Sequence, residues 1–199
     1  MKLGILGGTF DPIHVGHLAA ARAAMECAGL DRVVFMPSAE PPHRSAAGAS
    51  AQQRLEMCRL AIRGEDRFDV TDLEIRRGGV SYTLDSLLEL KRAHPADQLY
   101  LVLGADAARL FHTWHEPERV KQLAIIIVVR RPGASDPDEA LLTSAGLDSS
   151  RVIPCPSATP NISGSALRRA FAAGESILDQ VPDGVAAYIA AHDLYRDNR

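Results

Sequence analysis

Two imidazoles, a carboxylate, a hydroxyl and adjacent glycines fall within eleven residues near the start of the chain, in the run Gly7-Gly8-Thr9-Phe10-Asp11-Pro12-Ile13-His14-Val15-Gly16-His17. A short apolar stretch containing Leu3, Ile5 and Leu6 precedes it, and an Ala-rich stretch predicted helical from about Leu18 to Ala28 follows. A glycine-rich turn between a buried strand and a helix start suits phosphate. Glycine lets backbone N–H groups come close to the anion, and the helix dipole favours negative charge there. Two familiar forms of such a turn are excluded by spacing. Gly4, Gly7 and Gly8 do not make Gly-x-Gly-x-x-Gly, and no lysine follows the glycines as a P-loop requires. What remains is His14-x-Gly16-His17. Residues three apart share a helix face, so both imidazoles are predicted to address one ligand, with Gly16 leaving room for a nucleobase or sugar. Two histidines near an aspartate could also bind a metal, but no third or fourth ligand stands at a helpful spacing. A merely solvated histidine at a helix start would leave the neighbouring glycines unexplained.

Five further clusters carry polar or charged groups. Pro41-Pro42-His43-Arg44 puts charge on a loop stiffened by two prolines. Ser81-Tyr82-Thr83-Leu84-Asp85 opens a helix, where Ser81 or Thr83 could be a plain N-cap. Gly104-Ala105-Asp106 offers a carboxylate at a strand end, suited to a ribose hydroxyl pair, and Trp114-His115 with the sole tryptophan follows it. A single tryptophan is most often core. Arg130-Arg131-Pro132-Gly133 ends a strand, and Arg131 could fork onto a phosphate, while the pair is equally compatible with a solvated strand end. Ile162-Ser163-Gly164-Ser165-Ala166-Leu167-Arg168 makes a second anion-friendly helix start, with Arg168 one turn in.

The elements that must position these groups alternate. Strands are predicted at Val33–Met36, Phe68–Val70, Leu99–Leu103 and Ala124–Val129, and helices at Ala51–Arg63 and Tyr82–Ala93. Apolarity in the later strands is continuous, the mark of burial on both faces of a parallel sheet. The chain is therefore expected to be a doubly wound α/β domain spanning 1–199, with 163–199 as a C-terminal helical part. Ligands in that fold bind beyond the carboxyl ends of the strands, where every cluster named above except the Ser81 and Ser163 helix starts falls. Ser45–Ser50 is predicted to be a mobile loop, and Asp138–Ala145 a short helix within a variable connection.

At 199 residues, 46% hydrophobic and net charge −3, the chain can bury a core but has no basic surface for nucleic acid. The longest apolar run, Leu123–Val129, is too short to span a bilayer. No signal peptide is expected, because the first cluster follows directly on the first predicted strand. Cys27, Cys58 and Cys155 form no Cys-x-x-Cys pair, and one must stay unpaired, a pattern that fits a reducing cytoplasm; Cys27 and Cys58 are expected to pack in the core.

The first run, from Gly7 to His17, resembles the signature of the nucleotidyltransferase superfamily, and in its longer form that of bacterial nicotinate-nucleotide adenylyltransferases. The resemblance extends from Gly7 to Tyr195. It takes in Pro-Pro-His-Arg at 41–44, Ser-Tyr-Thr-Leu-Asp at 81–85, Gly-Ala-Asp at 104–106 with Trp114-His115, Arg-Pro-Gly at 131–133, and Val-Pro-Asp-Gly-Val at 181–185. Two departures stand out. Gly164, Ser165 and Leu167 replace the superfamily's Ser, Thr and Ile before Arg168, and Leu178-Asp179-Gln180 replaces an aromatic-Leu pair.

The resemblance implies adenylyl transfer from ATP to nicotinate mononucleotide, giving deamido-NAD and pyrophosphate, with Mg²⁺ brought on ATP and no protein-bound metal. It implies that His14, His17, Arg168 and Arg44 act on the phosphates. Gly7, Gly8, Thr9, Phe10, Gly16, Gly104, Asp106, Ser163 and Ser165 would line the ATP side. Tyr82, Thr83, Trp114, His115 and Arg131 would line the acceptor side, the indole stacking on the nicotinate ring. Nucleic acid and membrane are not expected as partners, and homo-oligomerisation stays open. The rival readings are another acceptor, such as nicotinamide mononucleotide, phosphopantetheine or an alcohol phosphate, and a nucleotide-sensing module that binds without turnover. A dehydrogenase lacks its Gly-x-Gly-x-x-Gly.

Overall fold

The computed structural model describes residues 1–40, 48–130, 142–143, 145–148, 151–156, 159–177 and 179–196. Six strands form one sheet: β1 (Lys2–Gly8), β2 (Arg32–Pro37), β3 (Phe68–Val70), β4 (Gln98–Gly104), β5 (Ala124–Val129) and β6 (Val152–Cys155). Their order is β3-β2-β1-β4-β5-β6, and every pairing is parallel. This is the doubly wound arrangement expected from the strand–helix alternation. β6 and the described short helices between β3 and β5 leave no pattern in the sequence, because each is only a few residues long.

Parallel strands need crossovers, and helices supply them on both faces. α1 (Val15–Ala28) and α2 (Ala51–Ala61) lie on one face, joined there by α7 (Gly164–Ala173) and α8 (Asp183–Ala191). α3 (Leu73–Arg77), α4 (Thr83–Ala93), α5 (Ala105–Arg109) and α6 (Pro117–Leu123) cover the other. The core divides accordingly. Leu6, Phe35, Val102 and Ile127 meet Leu18, Met57, Leu167 and Ile189 on the first face. Ile5, Met36, Leu101 and Ile126 meet Leu84, Leu87, Phe111 and Val120 on the second. Alternate residues of each strand serve opposite faces, which is why the strands read as continuous apolar runs.

Strand order reverses beside β1, whose neighbours are β2 and β4. In register, Gly8 stands opposite Pro37, and Gly104 opposite Val129. The turns after β1, β2, β4 and β5 thus open along one edge, with the switch point between the first and third of them. Among the described residues no helix is long and apolar enough to cross a membrane.

The cysteine expectation needs correction. Cys27 is exposed rather than packed in the core, and its sulfur is paired with that of buried Cys155, with Cα atoms 6.0 Å apart. Cys58 is free and buried, and burial pushes its thiol pKa up.

Candidate active site

The first turn is shaped by a reversal at Phe10, which has φ of 51°, a conformation costly for an aromatic residue. That reversal folds the phenyl ring over Gly8, where a Cβ would lie 3.1 Å from ring carbons. Gly8 is therefore needed for a close approach. The ring also presents itself edge-on to His17, with centroids 5.0 Å apart.

α1 begins at Val15, three residues earlier than expected, and His14 lies outside it as the N-cap, with φ −144° and ψ 169°. The two imidazoles still converge, by capping rather than by a shared helix face. Their rings stack at 3.6 Å with 24° between planes, and the His14 N–H donates to His17 Nδ1 at 3.2 Å. A Cβ on Gly16 would meet His14 Nδ1 at 3.0 Å and the Pro160 carbonyl at 3.3 Å. The space beside Gly16 therefore admits those two groups, not a ligand ring.

Asp11 is 6% exposed and gathers three parts of the chain. Its carboxylate accepts from the Gly48 N–H at 2.8 Å, the Ala49 N–H at 3.0 Å and the Tyr195 hydroxyl at 2.7 Å. Arg168 Nη1 lies 3.4 Å from Asp11 Oδ2 and donates to the Asp11 carbonyl at 2.7 Å. Ser163 caps α7, its hydroxyl accepting from the Ala166 N–H at 3.2 Å, and lies 3.2 Å from the Ser165 hydroxyl. The structure gives a reason for Gly164, because a Cβ there would stand 3.0 Å from the Asp11 carbonyl. The second anion-friendly helix start is thus pressed against the first turn.

Arg54 ties the site together from beneath, a role its place in the sequence does not announce. It is 1% exposed, and its guanidinium donates to the carbonyls of Thr9 at 2.6 Å, Ser38 at 2.7 Å, Ala39 at 3.1 Å and Ala49 at 3.3 Å. It joins the turn after β1 to the turn after β2. Burial lowers its pKa, against the opposing charge of Asp11. A signal of its burial existed, since Arg54, Met57, Cys58 and Ala61 fall on one helical stripe and are all buried.

At the other end of the edge, Tyr82 is the N-cap of α4 and Thr83 its first residue. Ser81 is not a cap. It is buried, and its hydroxyl accepts from the Ala39 N–H at 2.9 Å. The Tyr82 and His115 rings lie 4.5 Å apart, so the α4 start and the Trp114-His115 turn stand side by side. Trp114 is half-buried against Phe111 at 5.3 Å, and its N–H closes the preceding turn on the Phe111 carbonyl at 3.0 Å. Gly104 caps α5, with open space where a Cβ would be. Asp106 is exposed on that helix, 3.3 Å from Arg109. Arg44, with the rest of Pro41–Arg44, and Arg131 lie outside the described residues, as do half of the Ser45–Ser50 loop and most of the Asp138–Ala145 helix.

Beneath the α4 start lies a buried carboxyl, Glu74, 5% exposed, which accepts from the Ser86 hydroxyl at 2.6 Å. Burial raises its pKa, although hydrogen bonds from Ser86 and Ser81 and the charge of Arg77 oppose the shift. A carboxyl whose folded pKa exceeds its ordinary 4.5 binds its proton more tightly when folded. The folded state therefore loses stability as pH rises from the ordinary value through the raised one. Thermal melts from about pH 4 to about pH 8 are expected to show wild type falling relative to Glu74→Gln across that window; parallel curves would remove Glu74 as the cause.

Residues 5–170 match the model of the cytidylyltransferase-like family. A relative described as "probable nicotinate-nucleotide adenylyltransferase" from Thermus thermophilus is 43% identical over 196 residues, covering 98% of this chain and 100% of its own. One of the same description from Thermomicrobium roseum is 40% identical, covering 98% of this chain and 92% of its own. Among solved structures, a Plasmodium falciparum nicotinic acid mononucleotide adenylyltransferase complexed with NaAD superposes with a TM-score of 0.80 at 22% identity, covering 98% of this chain and 97% of that one. At that identity the likeness speaks to fold alone.

Proposed function

The chain belongs to the cytidylyltransferase-like family, and from that premise we propose that it transfers the adenylyl group of ATP to nicotinate mononucleotide, forming deamido-NAD and pyrophosphate. The observation that carries the proposal is full-length identity of 40–43% to relatives of that description, in a chain whose first turn and Arg168 helix meet at Asp11.

A 5′-phosphate oxygen of the mononucleotide attacks the α-phosphorus of ATP in line. The bond from that phosphorus to the bridging oxygen of the β-phosphate breaks, and pyrophosphate leaves with the electron pair. No protein nucleophile is needed, so catalysis consists of positioning and charge stabilisation. We assign the donor role on the α/β phosphates to His14 and His17, with the backbone of Gly7, Gly8 and Thr9 beside them. Phe10 and Gly16 shape that turn from behind. Arg168 and Arg44 offset charge on the leaving pyrophosphate, and Ser163 and Ser165 meet the same phosphates at the α7 start. Asp106, after Gly104, orients a ribose. Tyr82, Thr83 and Trp114 take the pyridine end and Arg131 the acceptor phosphate. Because the Trp114 N–H is already engaged, a carboxylate beside the indole would meet the amide of His115.

Mg²⁺ enters with ATP, held by phosphate oxygens and water. We take 1–199 as one nucleotidyltransferase domain, with 163–199 as its helical close, working in the cytoplasm.

The test is pyrophosphate release with ATP and Mg²⁺, comparing nicotinate mononucleotide with its amide at equal concentration. Strong preference for the acid is expected. Equal rates would remove the acid-specific pocket, and no turnover with either would remove the proposed reaction.

A further inference from the structure

Tyr195 lies 27 residues beyond Arg168, yet both end on the same carboxylate. Its backbone has φ of 64°, in the left-handed region that bulky residues avoid, so surrounding contacts must hold it there. The ring supplies some of them. It covers Gly48, where a Cβ would stand 3.1 Å from ring carbons, and lies 5.9 Å from Phe171. The hydroxyl adds another, donating to Asp11 Oδ1 at 2.7 Å. Burial, together with the nearby carboxylate, raises the pKa of this phenol, which keeps it a donor.

Asp11 has no freedom that this bond does not restrict. Oδ1 accepts from Tyr195 and the Ala49 N–H, while Oδ2 accepts from the Gly48 N–H and faces Arg168 Nη1 at 3.4 Å. Together with the two amides, the phenol restricts rotation of the carboxylate about its Cβ–Cγ bond, and so helps set which oxygen is turned toward the guanidinium. Arg168 has five N–H donors in a rigid fork. With Nη1 committed to Asp11, the rest of the fork is oriented for an incoming anion.

We propose that Tyr195 is a positioning residue for ATP: its hydroxyl acts through Asp11 to hold the guanidinium of Arg168 where the polyphosphate docks. The proposal rests on the reading of Arg168 as a phosphate ligand.

Calorimetric titration with ATP and Mg²⁺, without acceptor, tests it on wild type, Tyr195→Phe, Asp11→Asn, the double variant and Arg168→Ala, with thermal melts and steady-state kinetics alongside. Tyr195→Phe keeps the ring contacts and removes only the hydroxyl. It is expected to weaken ATP about 5- to 10-fold, less than the loss of a direct hydrogen bond to a charged group because the hydroxyl acts through Asp11. KM for ATP should rise likewise, with KM for the acceptor and the melting temperature near wild type. Because Tyr195 acts through Asp11, the double variant should bind no more weakly than Asp11→Asn alone. ATP affinity of Tyr195→Phe within twofold of wild type overturns the proposal, as do effects that multiply in the double variant or rise equally for both substrates. If Arg168→Ala leaves ATP affinity unchanged, the phosphate reading of Arg168 falls and the proposal with it. If Arg168→Ala weakens ATP and Tyr195→Phe does not, only the proposal falls.

Discussion

Replacing His17 with alanine is expected to lower kcat by about 10²- to 10³-fold and to leave the protein folded. The expectation follows from the direction of one hydrogen bond. His17 Nδ1 accepts from the His14 N–H at 3.2 Å, so that nitrogen is unprotonated and the neutral ring carries its proton on Nε2. The donor is thereby presented away from the helix start, and stacking on His14 together with the Phe10 edge holds the ring plane. A donor fixed before the reaction stabilises charge that develops on phosphate oxygens without reorganising, and so it acts chiefly on the transition state. The structural cost is that of a helix cap, about 1 kcal/mol, or a melting-temperature loss of about 2–4 °C in a chain of this size. Pyrophosphate release and a thermal melt, run together, separate the two effects. Turnover near wild type in a folded His17→Ala would remove His17 from the mechanism.

Arg54→Met is expected to be the most destabilising exchange in the site, costing about 3–5 kcal/mol and about 10 °C of melting temperature. The methionine fills much of the volume, so the loss is not mainly a cavity. It comes from the carbonyls of Thr9, Ser38, Ala39 and Ala49, all of which lose their guanidinium donor at once. Arg54→Lys should fall between the two, because three donors on a point charge cannot span four carbonyls from separate turns. Since Arg54 ties the turn after β1 to the turn after β2, KM should rise for both substrates in either variant, unlike the ATP-specific change expected at Tyr195. A melt of Arg54→Met within about 2 °C of wild type, a shift worth no more than about 1 kcal/mol in a chain of this size, would show that these bonds contribute little.

Local pattern was enough to place the strands and longer helices. Leu99–Leu103 and Ala124–Val129 are strands as their continuous apolar runs predict, because residues buried on both faces must be apolar throughout, and Val33–Met36 and Phe68–Val70 are strands as well. Five short elements were not legible. α3, α5, the 3₁₀ turn at Phe111–Thr113, α6 and β6 span seven residues or fewer, which leaves too little sequence for a period to show. The start of α1 was misplaced because His14 and His17 cap a helix with side chains not usually found as caps.

The sequence by itself determined the groups available for chemistry: two imidazoles in a glycine turn, a serine-rich helix start with an arginine one turn in, and the adjacent Trp114 and His115. Each is local, and its spacing is its signal. Only the tertiary structure decided how they are held. Asp11 joins residues 37 to 184 positions away, and Arg54 joins turns 15 and 45 positions away. Such contacts leave no periodic trace, because a buried charge is tolerated only where distant backbone supplies its partners, and those partners are carbonyls and amides that every residue carries.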